Sequence, residues 1–186
     1  MKNIWFPILI LLNAFCIAHA QSNPDGGHKA DSRNMRLVGA HDLQGRSAFQ
    51  PIIVQQGKRW IAYVGHHGGS AVNSLTGQKE ANGTSILDVT DPARPQYIHH
   101  LPRSSGEVVA GGEGGGAQMV QICAGKDLPK GDPAKFYMLR TDGRKAHEIW
   151  DVTTPEKPAR VSIVVDNLRS THRQAWECDK IGRAHV

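Results

Sequence analysis

Ser85-Ile86-Leu87-Asp88-Val89-Thr90-Asp91-Pro92-Ala93-Arg94-Pro95 returns further along the chain as Glu148-Ile149-Trp150-Asp151-Val152-Thr153-Thr154-Pro155-Glu156-Lys157-Pro158. The stretches lie 63 positions apart, counted from Asp88 to Asp151, and Ile, Asp, Val, Thr and both prolines match in one ungapped register. A unit that recurs with its turn residues in place marks a repeat architecture, whose core is built by stacking repeats. Each repeat couples a short β-branched run to a pair of prolines. Proline cannot donate to a ladder and pushes the residue before it to extended backbone, so the run must end there.

Outward from this stretch, the first repeat predicts four short strands: Gln50–Gln55, Arg59–Gly65, Thr84–Val89 and Gln96–Leu101. Gly57-Lys58 is a hairpin turn between the first two, and Arg59–Gly65 is the clearest strand, rich in aromatic and β-branched residues. The second repeat follows the same order, with strands over Ala117–Cys123, Lys135–Arg140, His147–Val152 and Ala159–Val165 and a tight turn at Asp142-Gly143. A third repeat opens at Gln174–Cys178, and Met35–Gly39 is a possible strand ahead of the first. The pattern predicts an all-β fold, a β-propeller fragment of about two four-stranded blades plus the start of a third. A blade is about 40–50 residues, so the extra length is expected in the loops His66–Gly83, Arg103–Gly116 and Ala124–Pro133. A β-sandwich is the competing fold, but it would not require Asp-Val-Thr-x-Pro-x-x-Pro to recur in register.

Ile86-Leu87-Asp88-Val89-Thr90-Asp91-Pro92 and Ile149-Trp150-Asp151-Val152-Thr153-Thr154-Pro155 resemble the LVIVD-repeat proteins, exported bacterial and archaeal β-propellers of mostly unknown function. The resemblance covers about residues 47 to 179. It implies a closed ring of several blades, and it offers no agreed catalytic residues to carry over.

The two ends read differently from this middle. Lys2, the mostly apolar Ile4–Phe15 and the Ala18-His19-Ala20 cleavage site make residues 1–20 an export signal, so the mature chain is expected to start at Gln21. The apolar run is shorter than the roughly 18 residues that a spanning helix needs, and Phe15 before Cys16 is a poor neighbour for lipidation. Residues 21–46 read as a polar, flexible lead, and 47–180 as incomplete propeller blades. Ile181-Gly182-Arg183-Ala184-His185-Val186 back-translates to ATC GGA AGA GCA CAC GTC, which resembles a common sequencing adapter. Residues 181–186 are therefore expected to be an artefact, and the natural protein is expected to continue. Export places the protein in the periplasm or at the cell surface, with no transmembrane span once the signal is removed.

The charge balance, 22 Lys and Arg against 17 Asp and Glu, is scattered along the chain and gives no argument for nucleic acid or an anionic membrane. Oxidising compartments permit disulfides, so Cys123 and Cys178 are a candidate pair, with separate thiols or other partners as alternatives.

The candidate chemistry is sparse. His66-His67-Gly68-Gly69 follows the best strand, His172 lies in the matching region before the third repeat, and His41 precedes the first. One loop histidine per blade could gather a transition metal ion at a propeller axis, although no tight ligand spacing such as H-x-H or H-E-x-x-H is present. His99-His100 lies on a fourth strand, where neighbours face opposite ways, and reads as structural. Gly106–Gly116 lacks the Lys-Ser/Thr ending of a phosphate loop and reads as an inter-blade loop, with Glu113 a weak candidate carboxylate. Asp88 and Asp151 read as structural hydrogen-bonding groups. Asn82-Gly83-Thr84 fits a glycosylation sequon, though one expected to be idle. No nucleophile signature is present.

Two functions follow as expectations. The first is an exported binding scaffold for an unknown protein or small-molecule ligand. The second is a metal-dependent enzyme, an oxidoreductase in kind, using His66, His67 and His172. Mass spectrometry of the exported protein is expected to find Gln21 at its N-terminus; a chain retaining residues 1–20 would remove the export reading.

Overall fold

The structure, a computed structural model, describes residues 34–103, 116–169, 171 and 174–179. The chain divides into two compact units, Met1–Arg36 and Leu37–Val186, and the account that follows concerns the second. The export signal, half of the polar lead (residues 21–33), residues 181–186 and all of the glycine-rich loop before Gly116 lie outside the described residues, as do Glu113 and His172.

The fold is all-β. Ten strands are described: β1 (Phe49–Gln56), β2 (Arg59–Gly65), β3 (Ser70–Val72), β4 (Lys79–Ala81), β5 (Gly83–Asp88), β6 (Gln96–Pro102), β7 (Val120–Ala124), β8 (Phe136–Asp142), β9 (Ala146–Asp151) and β10 (Ala159–Val165). They form three antiparallel sheets: sheet 1 in the order β1-β2-β5-β6, sheet 2 in the order β7-β8-β9-β10, and the small β3-β4 hairpin. Among the described residues there is no α-helix, only 3-10 turns at Leu43–Gly45 and Gly125–Asp127. Met35–Gly39 is not a strand. Its backbone is irregular, and Met35 and Leu37 are exposed rather than paired. The loop expected over His66–Gly83 contains β3 and β4, which the polar composition had hidden. The segment expected to open a third repeat shows, among its described residues, a bridge at Trp176.

The recurring Asp-Val-Thr is a latch. Asp88 Oδ1 accepts from the Thr90 amide at 2.9 Å, and Thr90 Oγ1 accepts from the Trp60 amide at 3.0 Å. In sheet 2, Asp151 Oδ1 accepts from the Thr153 amide at 3.0 Å, and Thr153 Oγ1 accepts from the Phe136 amide at 3.0 Å. A cation completes each copy: Arg59 Nε lies 2.7 Å from Asp88 Oδ2, and Lys135 Nζ 3.0 Å from Asp151 Oδ2. The aspartate closes its own turn and ties that turn to the start of the neighbouring strand, so it is a folding device.

The ladders make the sheets superimposable in register. Ile61 pairs with Asp88 and Tyr63 with Ile86, as Tyr137 pairs with Asp151 and Leu139 with Ile149. Side chains alternate across a strand. Ile61, Tyr63 and Ile86 therefore mark the front of sheet 1, and Ala62, Val64 and Leu87 its rear. The front of sheet 1 packs on the rear of sheet 2. Ile61, Tyr63 and Ile86 share one core with Val120, Met138 and Val152, flanked by Ile122, Phe136 and Trp150. Tyr63 and Gln56 both donate to the Val152 carbonyl, at 3.4 and 3.2 Å, and Arg59 Nη2 reaches Glu156 Oε1 at 2.6 Å. On the rear of sheet 1, Leu43 from the leading segment packs on Ala62, Val64 and Leu87.

One pair breaks the repeat. Val64 opposite Ser85 in sheet 1 becomes Arg140 opposite Glu148 in sheet 2. Both charged side chains are buried, at 0% and 1% exposure, and Arg140 Nη2 lies 3.1 Å from Glu148 Oε2. Arg140 also donates across the interface to the Leu101 and Pro102 carbonyls at 2.9 and 3.0 Å. Glu148 accepts from Trp150 Nε1 at 2.9 Å and from Arg160 Nη1 at 3.0 Å. Burial alone would raise the Glu148 carboxyl; Arg140, Trp150 and Arg160 outweigh it and hold it below the usual range.

Removing one partner of a buried pair strands the other charge, at a cost of about 3–5 kcal/mol. Glu148→Gln is expected to lower the urea midpoint accordingly, and Arg140→Met combined with Glu148→Leu to recover most of the loss. Because the folded carboxyl binds its proton at lower pH than the unfolded one, the contribution of Glu148 is full at neutral pH. It is lost as the pH falls below the ordinary glutamate range, about 4.3.

Candidate functional site

The sequence singled out His66 and His67, and they sit where the end of β2 meets the segment entering sheet 2. Two backbones touch there. A Cβ on Gly65 would lie 2.2 Å from the Ala117 and Gln118 carbonyl oxygens, and one on Gly116 would lie 2.1 Å from the His66 carbonyl oxygen. Only glycine fits at either position.

His66 points into the rear of sheet 1 and is fully buried. Its Nδ1 faces the Ser47 carbonyl, which can only accept, so Nδ1 carries the proton. Nε2 then accepts from Ser85 Oγ at 2.7 Å, and Ser85 Oγ accepts from the Tyr97 hydroxyl at 2.8 Å. The chain Tyr97–Ser85–His66–Ser47 has the polarity of a nucleophile–base pair, but Ser85 and His66 are both 0% exposed, so no substrate reaches them. Burial holds His66 down to about 4, and hence neutral, against the Ser47 hydrogen bond that raises it. His100, its ring 6.1 Å from that of His66, gives its Nε2 proton to the Ala81 carbonyl at 3.0 Å. Burial likewise lowers His100 to about 4. His41 accepts from the Leu43 amide through Nδ1 and stacks on Tyr97.

His67 is placed differently. Its amide donates to Ser47 Oγ, its carbonyl accepts from Asn82 Nδ2, and its ring meets Phe49 edge-on at 5.5 Å. Gln118 Nε2 donates to His67 Nδ1 at 2.9 Å, so the ring proton belongs on Nε2. The ring is half-buried, and Nε2 offers a fixed N–H donor.

Gln118 went unrecognised in the sequence. Gln174, ahead of the Trp176 bridge, also meets a histidine, but with the opposite polarity. Its Nε2 donates to the Leu139 and Met119 carbonyls at 2.7 and 3.1 Å, and its Oε1 accepts from His147 Nδ1 at 3.0 Å. The signal was a glutamine just ahead of β7 and of the Trp176 bridge, in Gln118-Met119-Val120 and Gln174-Ala175-Trp176. The same incoming segment is held covalently, because Cys178 is disulfide-bonded to Cys123 of β7.

Of the three predicted ligands, His66 and His67 are described, and their rings serve different networks. His66 has both ring nitrogens engaged inside the sheet, while His67 Nε2 has no partner among the described residues. Among the described residues no group of three His, Cys, Asp or Glu side chains is placed to hold a metal ion. The sequon is closed in the folded chain: Asn82 is 6% exposed and Thr84 0%. Among the described residues no helix is long and apolar enough to cross a membrane.

No family model matches the chain, and no curated protein and no solved structure is significantly similar to it.

The neutral, buried imidazoles give a testable pH dependence. An unfolded histidine takes its proton near 6.5; folded His66 and His100 do so at about 4. Between those values the unfolded chain binds more protons, so stability falls as the pH drops through this window and is full above it. Urea midpoints measured across pH should show that slope, and His66→Gln with His100→Gln should make it shallower, the remainder belonging to His99 and His147, which burial also lowers.

Proposed function

We propose that the chain belongs to an exported β-propeller of the LVIVD-repeat type and serves as a binding scaffold, with the His67 junction as a ligand-facing surface. The propeller reading is supported by the way two register-matched sheets stack front on rear, an arrangement that repeats wherever a further sheet is added. Export to the periplasm or cell surface agrees with the Cys123–Cys178 disulfide, since such bonds persist in oxidising compartments.

The observation that carries the binding reading is the His67 ring. Gln118 fixes its tautomer, Phe49 and the Ser47 and Asn82 contacts fix its position, and its Nε2–H has no partner among the described residues. A donor held by packing and by neighbouring hydrogen bonds loses little freedom on binding. It suits a ligand with an acceptor oxygen, on a small molecule or on a protein loop. The metal-dependent enzyme is less favoured, because His66 has no ring nitrogen to spare.

Titration with zinc and copper, followed by calorimetry, separates the two readings. The scaffold expects no stoichiometric metal that depends on His67. A metal bound one per chain, and lost in His67→Ala or His172→Ala, would turn the proposal to the enzyme. Titration with acetate is expected to shift the His67 ring resonances in NMR, and Gln118→Ala, which frees the tautomer, to weaken that shift severalfold.

A further inference from the structure

Residues 41–47 lie on the rear of sheet 1 without joining it. Their backbone–backbone hydrogen bonds, from Gly45 to the Asp42 carbonyl and from Arg46 to the Leu43 carbonyl, are internal to the segment. Its noncovalent ties to the rest of the fold run through side chains. Leu43 packs on Ala62, Val64 and Leu87, and His41 stacks on Tyr97. Gln44 Nε2 donates to Ser74 Oγ at 2.6 Å, and Arg46 Nη2 to the Ala71 carbonyl at 3.0 Å. His66 Nδ1 donates to the Ser47 carbonyl, and Ser47 Oγ accepts from the His67 amide at 3.1 Å.

Two features oppose this closed arrangement. Leu43 and Gln44 are consecutive non-glycine residues in the left-handed region, at φ +54° and +60°. An L side chain is crowded there, so such residues persist only where the surroundings force them. Arg46 is 5% exposed, meets no carboxylate among the described residues, and leaves its Nε without a partner. A buried cation with no counter-charge works against closure. The burial of Leu43 is the main term on the other side. No ladder hydrogen bond has to break for the segment to lift.

Lifting it would reach the junction described above. The His66 amide donates to the Gly83 carbonyl within sheet 1, whereas the adjacent His67 amide depends on Ser47. We propose that residues 41–47 are a strap that opens while the sheets stay folded, and that the closed strap holds the His67 junction in place. A ligand engaging His67 then favours the closed strap, and an open strap weakens the ligand by the same factor. This coupling to a ligand rests on the ligand-facing reading of His67; the separate opening of the strap does not.

Native-state amide exchange read by NMR tests this. The Leu43, Gly45, Arg46 and His67 amides are expected to exchange about tenfold or more faster than those of the β2–β5 ladder, with little dependence on low urea. Glu148→Gln, which weakens sheet 2, is expected to speed the ladder and leave these four unchanged. Leu43→Ala is expected to speed all four together by about tenfold or more; Leu43→Val, which keeps most of the contact, serves if that chain fails to fold. Four amides that follow the ladder in Glu148→Gln, or a His67 amide indifferent to Leu43→Ala and Leu43→Val, overturn the strap. Acetate that shifts the His67 ring without slowing the four amides overturns the coupling. Acetate that shifts nothing removes the ligand-facing reading alone, and the exchange rates still decide the strap.

Discussion

The sheets of this chain are apolar on both faces, and a sheet of that kind must be covered twice. In β2, Ile61 and Tyr63 point one way and Ala62 and Val64 the other, and all four are buried. One face is satisfied by the next sheet and the other by the leading segment through Leu43. A single hairpin layer with one wet face, the common solution for antiparallel sheets, is closed to this sequence. Everything else, from the order of the sheets to the glycines at their junction, follows from stacking whole sheets at close approach.

Identity and divergence between the repeats divide along this line. Residues that close local geometry are the same or equivalent in both: Asp88 and Asp151, Thr90 and Thr153, and the cations Arg59 and Lys135. Residues that meet a neighbour differ, because the neighbours differ. Val64 and Ser85 lie in a polar and apolar pocket beneath the leading segment, whereas Arg140 and Glu148 face the carbonyl ends of β6. A buried ion pair is weak evidence for stability. Its five donors and fixed geometry are better suited to making one alignment of the two sheets preferable to a slipped one.

Much of the fold was legible because strand, turn and proline signals are local. Arg59–Gly65 and Ala159–Val165 read correctly to the residue, and the turn glycines Gly57 and Gly143 have the positive φ their positions demand, at +63° and +58°. The structural reading of Asp88 and Asp151 was available for the same reason, since an Asx turn spans two residues. Two things were not legible. The β3-β4 hairpin has little apolar periodicity and is held from outside, by Arg46 donating to the Ala71 carbonyl and Gln44 to Ser74 Oγ. The contrasting fates of His66 and His67 depend on Ser85 and Gln118, 19 and 51 residues away. Adjacent histidines alternate in a strand, but only the fold decides which one faces the core.

The Cys123–Cys178 bond joins the first strand of sheet 2 to the segment that opens the third repeat, across 55 residues. Between those two points lie β8, β9 and β10, so the bond encircles the sheet instead of reinforcing one strand. Tension applied beyond Cys178 would pass straight to β7, next to the shared core, and bypass the exposed outer strand. The segment at residues 174–178 therefore cannot peel away by itself. It leaves only when β7 leaves, and the boundary between the second and third repeats is mechanically part of the second.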